Sequence, residues 1–315
     1  MSDKIEPVDL SKIKTISIKD RKHKVKIEDF ADLQKLSGDF NEFLESLPNI
    51  LKARDFKELV EAVSLARRND KSVILAMGDA VIKVGLAPII IKLMKEDIIT
   101  AIAMQGAGAI HDTEIALIGE TSEDVAVSIQ DGTFGMAEET GRFLNDAIKE
   151  GARENIGLGE AVGKKIVEEN LPYKDYSILA NAYELGVPAT VHVAIGTDTI
   201  HMHPKADGAS IGKTSHLDFR KFASCVKEIS GGVFINVASA VILPEVFLKA
   251  LSIARNISEV KKFTTANFDM LMHYRPTENV IKRPIKSGGR GFNIIGHLEI
   301  MLPLFAKAIL EKTKR

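Results

Sequence analysis

Residues 71–120 read KSVILAMGDAVIKVGLAPIIIKLMKEDIITAIAMQGAGAIHDTEIALIGE, and this stretch decides the fold. Residues 73–77 are an apolar run with room for one strand, broken by Gly78-Asp79. Residues 84–93 carry apolar side chains at helical spacing, with Lys92 and Lys95 in the closing turn. Residues 98–104 are a second apolar run, broken by Gly106-Ala107-Gly108-Ala109. Two apolar strands joined by a helix predict parallel neighbours buried on both faces. Ligands of such sheets sit beyond the carboxyl ends of the strands. Gly78-Asp79 and residues 106–112 therefore share the expected functional edge.

The same alternation resumes downstream. Residues 177–185 read as a helix closed by Gly186, and Pro188 leads into a strand over 189–195. A polar loop, GTDTIHMHPKADGASIGKTSH, precedes a helix over 218–229 with Asp218 as its N-cap. Strands follow at 233–237, 262–267 and 280–285. A helix over 245–255 separates the first two, SGGRGF is a turn, and Gly296 opens the last helix. The fold class is α/β: a doubly wound, mostly parallel sheet of about six strands with helices on both faces. Residues 1–70 form an amino-terminal extension. It has two short strands around Asp20-Arg21 and amphipathic helices over 29–47 and 53–68. Residues 71–315 form the main domain, with a helical insertion around 122–172 that includes helices over 138–153 and 158–169.

Composition narrows the function. The chain has 315 residues, 45% of them apolar, and a formal net charge of −1. That balance argues against nucleic-acid and membrane-surface partners. The basic run from Lys19 to Lys26 reads as a solvated hairpin. Without Trp and with four Tyr, the chain offers little for base stacking. Cys225 is the single cysteine, so no disulfide forms within the chain, and its amphipathic helix places it in the core. Residues 1–10 hold no apolar signal core, and no run reaches about 18 apolar residues. A cytoplasmic location is expected.

Several polar clusters are candidate chemistry. Gly106-Ala107-Gly108-Ala109 exposes backbone N–H groups before a helix, which suits a phosphate or ribose, or a tight turn. Asp112 suits ribose hydroxyls, a substrate amine or a helix N-cap. Asp79 beside a phosphate would repel it. His192, Asp198, His201, His203 and His216 are the densest polar cluster. They are metal-ligand types for Zn²⁺ or Fe²⁺, or else hydrogen-bond partners and general bases at a cofactor site. Arg275 suits a bidentate carboxylate or phosphate, or a surface salt bridge with its neighbours. His297 and Glu299 open the final helix, where an anion is favoured and His297 could act as base. Ser239 and Glu245 edge the strand at 233–237.

The order of elements resembles the deoxyhypusine synthase-like family, a Rossmann-like NAD-binding fold. ILAMGDAVIKVGLAPIIIKLMKEDIITAIAMQGAGAIHD is similar to its first strand, loop, helix, strand and glycine-rich acidic loop. SILANAYELGVPATVHVAIGTDTIHMHP is similar to its helix, X-Pro strand and Thr-Asp loop. TTANFDMLMHYRPTENVI is similar to its late strand and Arg-Pro-x-Glu segment, and GHLEIMLPLFAKAI to its closing helix. Gly108-Ala109-Ile110-His111-Asp112-Thr113-Glu114 is similar to a loop of the ornithine cyclodeaminase branch.

The resemblance implies NAD as cofactor, held by Gly78, Asp79, Gly106, Ala107, Gly108, Thr197, Ser239 and Glu299. It implies an enzyme of amine metabolism, transferase or oxidoreductase, that acts on a small amine or amino-acid-like substrate by transient hydride transfer. Oxidation, cyclising deamination and aminoalkyl transfer are the reactions in view. His201, His203 or His297 would take the proton. Asp112, Asp198 and Glu278 would hold a cation, and Arg275 an anion. The family's carrier lysine lies nine residues after the arginine, which is Pro284 here, so Lys282 is the shifted candidate. The family's base histidine has no counterpart around 241–244. A homotetramer is implied. Two alternatives remain: a metal-dependent hydrolase or lyase on the His192, His201, His203 and His216 cluster, and a non-catalytic nucleotide-binding assembly protein.

Overall fold

The structure is a computed structural model and describes residues 5–313, so residues 1–4 of the amino-terminal stretch lie outside it. The chain divides into two units, Met1–Arg54 and Asp55–Arg315.

In the first unit the expected pair of strands does not form. The stretch holds 3-10 turns at Leu10–Lys12, Ile18–Asp20 and Ile27–Asp29. Asp9 and Ser17 cap the first two with their side chains. These local bonds compete with a hairpin, and an isolated hairpin has little stability of its own. The helix expected over 29–47 is also shorter. Only α1, Phe40–Ser46, forms, because Gly38 precedes a capping box in which Asp39 and Glu42 satisfy each other's backbone amides.

The second unit is built on six parallel strands: β1 (Val73–Met77), β2 (Ala101–Gln105), β3 (Ala189–His192), β4 (Val233–Val237), β5 (Phe263–Asp269) and β6 (Gly289–Ile295). Their order is β3-β2-β1-β4-β5-β6, so the chain reverses direction across the sheet between β1 and β4. The helices are α2 (Leu51–Arg68), α3 (Ala80–Lys83), α4 (Ala87–Lys95), α5 (Gly106–Ile118), α6 (Val125–Ser128), α7 (Glu138–Glu154), α8 (Leu158–Glu168), α9 (Ile178–Leu185), α10 (Gly208–Lys227), α11 (Ile242–Ile257) and α12 (Leu298–Thr313). Among the described residues no helix is long and apolar enough to cross a membrane.

The period of two along each strand sorts the core. Ile74, Ala76 and Phe234 face α10 and α11, where Phe222 and Phe247, with Phe263 of β5, complete an aromatic column. Phe234 and Phe247 stack with ring centroids 3.6 Å apart. Val73, Leu75 and Ile235 face the other way, with Val63 of α2, Ile90 and Leu93 of α4, and Leu302 and Phe305 of α12. Both faces are covered, which makes the fold doubly wound.

Two expectations at the carboxyl-terminal end are corrected. Residues 280–285 are not a strand. Pro276–Lys282 winds as a π-helix and Pro284–Ser287 as a 3-10 turn. The sixth strand is Gly289–Ile295, which begins inside the SGGRGF stretch read as a turn and runs past it. Its glycines serve close approach. A Cβ on Gly289 would lie 2.1 Å from the Phe263 carbonyl oxygen, and one on Gly291 would lie 2.4 Å from that of Ile281. The helix after the His-rich loop also begins earlier, at Gly208, capped by Asp207. Asp218 therefore sits in mid-helix and is buried. Its Oδ2 accepts hydrogen bonds from Gly159 N (2.9 Å) and Val191 N (2.8 Å), tying α8 to the open side of β3.

Candidate functional site

At the β1–β4 reversal the two chains nearly touch. Gly78 N donates to Val237 O at 2.8 Å, and a Cβ on Gly78 would lie 2.0 Å from Ala238 O. Ala238 itself is left-handed, with φ +51°. Ser239 is buried and its Oγ accepts from Leu243 N, capping α11. Beneath it runs a ladder that the sequence reading missed. Asn236 donates to Ser239 O (3.0 Å) and to Asn267 Oδ1 (2.7 Å), and Asn267 donates to Asn293 Oδ1 (2.8 Å). The three are register partners on β4, β5 and β6. Asn236 Oδ1 is buried without a partner.

On the β3-β2-β1 side the edge is acidic. Asp79 pairs with Lys83 (2.6 Å) and accepts from Gln105 Nε2 (2.6 Å). Burial alone would raise its carboxyl, but the bond and charge of Lys83 outweigh this and hold it low. Gly106-Ala107-Gly108 is the first turn of α5 rather than a loop. The Asp198 carboxylate covers that turn: a Cβ on Gly106 would lie 2.0 Å from Asp198 Oδ2, and the Ala107 amide nearby favours the charged carboxylate. A phosphate at this helix start would displace Asp198 and meet Asp79. Gly108 faces inward, against Met104.

Asp198 is buried, with Thr197 Oγ1 3.4 Å from its Oδ1. Burial, with Asp79 nearby, pushes its pKa up to about 6. His201 accepts a hydrogen bond at Nδ1 from Gly196 N (3.1 Å), so the neutral ring carries its proton on Nε2. Burial lowers its pKa. The ring therefore presents a donor here rather than the base expected of it.

The remaining expected residues are dispersed. Asp112 is fully buried and caps α9 from the neighbouring helix. Its oxygens accept from Ile178 N (2.7 Å), Leu179 N (3.1 Å) and Ser177 Oγ (2.5 Å), which leaves nothing for ribose or an amine. Burial pushes its pKa up to about 6. His203 bridges Glu138 Oε2 (3.1 Å) and the Lys205 amide. His192 is buried against Phe222, burial pushing its pKa down to about 3, and His216 lies on α10. Among the described residues no three His, Cys, Asp or Glu side chains come together to hold a metal ion. The four histidines of the Zn²⁺ or Fe²⁺ alternative are thus not a metal centre.

Arg275 pairs with Glu245 (3.2 Å), which also accepts from Asn279 (2.9 Å). Glu278 holds Lys282 at 2.7 Å, and Lys282 is exposed on the π-helix. His297 and Glu299 face each other at 3.5 Å on the surface, at the start of α12.

One polar relay was named by no expectation. His111 Nδ1 lies 2.6 Å from Thr121 Oγ1, which donates to Glu114 Oε2 at 2.5 Å, and Thr140 donates to Glu114 Oε1 at 3.1 Å. His111 Nε2 faces Asp79 Oδ2 across 3.8 Å. The signal was a His-x-x-Glu pair at i, i+3 on one helix face.

No family model matches the chain, and no curated protein does. Solved structures match in fold. A conserved protein assigned as LOR/SDH from Methanococcus maripaludis S2 aligns with TM-score 0.52 and 17% identity over 83% of this chain and 70% of that one. AgrE in ternary complex with ornithine and NAD+ aligns with TM-score 0.53 and 14% identity over 84% of this chain. A protein assigned as a deoxyhypusine synthase from Entamoeba histolytica aligns with TM-score 0.51 and 10% identity over 91% of this chain and 98% of that one. This chain spans about a third of AgrE, 34% of its length. The chain shares the doubly wound α/β fold of these structures.

Proposed function

We propose that the protein is an NAD-dependent enzyme that oxidises a small cationic amine or amino-acid-like substrate at its C–N carbon, by simple oxidation or cyclising deamination. The observation that carries this reading is the pairing of the half-buried Asp79 with the buried Asp198 at the carboxyl edge of the sheet, close enough for the charge of Asp79 to act on Asp198. Asp198 Oδ2 has no hydrogen-bond partner there, so an ammonium group would supply the donor it lacks. The likeness in fold to AgrE, which was solved with ornithine and NAD+, adds support.

The cofactor fits the β1–β4 crevice better than the start of α5. Strand order reverses there, and Asn236 Oδ1 lies unpaired below Ser239. Gly78, Asn236 and Ser239 would hold it. When bound, NAD+ supplies the hydride acceptor. Aminoalkyl transfer is less well supported, because the candidate carrier Lys282 is paired with Glu278. The exposed run Met270, Leu271 and Met272 after β5 is where we place a second copy in a homo-oligomer.

Thermal melting with NAD+, L-ornithine and both together tests the reading. A ligand at about 100 times its Kd adds about 2.7 kcal/mol of stability. A rise with NAD+, increased by ornithine and followed by NADH formation, is expected. No rise with NAD+ would overturn the assignment.

A further inference from the structure

An amine substrate reaches the site as an ammonium ion, and its nitrogen has no lone pair until a proton leaves. A base beside the recess is therefore required, and the hydrogen-bond pattern singles one out. Burial would raise the Glu114 carboxyl, but His111, 3.7 Å away, and hydrogen bonds from Thr121 and Thr140 outweigh this and hold it low, so it is ionised. An ionised carboxylate only accepts, so the single hydroxyl hydrogen of Thr121 goes to Glu114. Thr121 Oγ1 must then accept from His111, which fixes the ring proton on Nδ1. In the neutral ring Nε2 keeps its lone pair. Among the described residues it makes no hydrogen bond, and it faces Asp79 Oδ2 at 3.8 Å, too far for one. Asp79 Oδ2 already holds the Lys83 ammonium at 2.6 Å, while Nε2 is left as an open acceptor beside it, complementary to a further donor N–H.

The other histidines of this half of the edge are engaged differently. His201 presents a protonated Nε2, and both ring nitrogens of His203 are occupied.

We propose that His111 is the catalytic base. The idea deepens the proposed function and rests on it. Nε2 takes a proton from the substrate ammonium held at Asp79 and Asp198. One N–H bond of the substrate breaks, one Nε2–H bond forms, and the positive charge passes to the imidazole. Glu114, through Thr121, and Asp79 stabilise that imidazolium. Thr121 and Glu114 are positioning residues.

The test joins a tautomer measurement to kinetics. In protein labelled with ¹⁵N-histidine, two-bond ¹H–¹⁵N correlations report which nitrogen of His111 carries the proton, and the His111→Asn spectrum assigns the signal. The expected result for the wild type is a protonated Nδ1 and a bare Nε2. Thr121→Val should mix the tautomers and Thr121→Ser should restore them. With NAD+ and L-ornithine, His111→Asn should lose about 100-fold in kcat with KM little changed. Thr121→Val should lose less, with rescue by Thr121→Ser. A bare Nδ1 in the wild type, or His111→Asn turning over like the wild type, overturns the role of His111 alone. A wild type that neither binds NAD+ nor reduces it with any amine overturns the proposed function, and the base with it. Should His111→Asn fail to fold, the wild-type tautomer and the Thr121 pair decide.

Discussion

Asp198 Oδ2 and His201 Nε2 face each other across 3.8 Å, both buried and both without a hydrogen-bond partner. The gap is too long for a hydrogen bond. Gly196 N fixes the imidazole, and Thr197 Oγ1 lies 3.4 Å from the other carboxylate oxygen. A buried carboxyl with a free lone pair costs stability unless a ligand completes it.

Asp198 therefore sets a pH dependence for cation binding. Its pKa is pushed up to about 6, so the recess gains its negative charge as pH rises through that value. Affinity for L-ornithine should rise from pH 5 to pH 7 in the wild type. In Asp198→Asn it should be weak and flat over that interval, with a loss of about 10-fold or more at pH 7, since a charge-assisted hydrogen bond contributes about 1.5–3 kcal/mol. Calorimetric titration at several pH values reads this directly. A wild-type profile unchanged between pH 5 and 7 would count against cation binding at Asp198.

Asp218 gives the opposite kind of pH effect, on stability rather than binding. Burial pushes its pKa up to about 7, although the amides of Val191 and Gly159 favour the charged form. A carboxyl whose folded pKa is raised contributes stability that is fully present below the unfolded value, near 4, and is lost as pH rises through about 7. The loss is at most about 4 kcal/mol, the equivalent of about three pKa units. Asp218→Asn keeps an oxygen for both amides and cannot ionise. Urea unfolding should show the wild type losing stability between pH 4 and 7 relative to this variant. Parallel profiles would contradict the assignment.

How much of this was legible depends on how far apart the interacting residues lie in the chain. The β1–α4–β2 unit was readable because its apolar runs and glycine breaks are contiguous. β6 was hidden because GRGFNII is chosen for backbone approach to Phe263 and Ile281, and glycine carries no strand signal. Asp198 over Gly106 joins a loop beyond β3 to the helix start beyond β2, so a glycine-rich helix start read as a phosphate site is filled by the protein's own carboxylate. Asp112 was misread for the same reason, since the helix it caps is α9 and not its own. The His111 relay was half visible, because His111 and Glu114 share a helix face while Thr121 enters only through the following turn.

The asparagine ladder predicts a selective loss at the β1–β4 crevice. Asn236 fixes the Ser239 carbonyl and Asn267, and both asparagines are buried. Asn236→Leu removes the donor and leaves Ser239 O and Asn267 Oδ1 unpaired, at a cost of about 1–3 kcal/mol for each buried group left unsatisfied. It should weaken NAD+ binding more than ornithine binding, because Asn236 and Ser239 belong to the β4 side, whereas Asp79 and Asp198 follow β1 and β3. Equal loss of both ligands would point to general destabilisation instead.

Gly289 tests the corrected strand. Its φ of +127° belongs to a region that side chains rarely adopt, and a Cβ there would lie 2.1 Å from the backbone oxygen of Phe263. Both effects act on the same bond, the first register pair of β5 with β6, so they cannot be relieved separately. Gly289→Ala should cost at least about 1–3 kcal/mol, the range for one strained backbone position, and lower Tm by several degrees. Because β6 is the edge strand, the damage should begin there. Hydrogen exchange should quicken first in residues 289–295, while β1 and β4 stay protected until global unfolding. If 280–285 were the sixth strand, Gly289 would lie in a turn, and the substitution would leave exchange in the sheet unchanged.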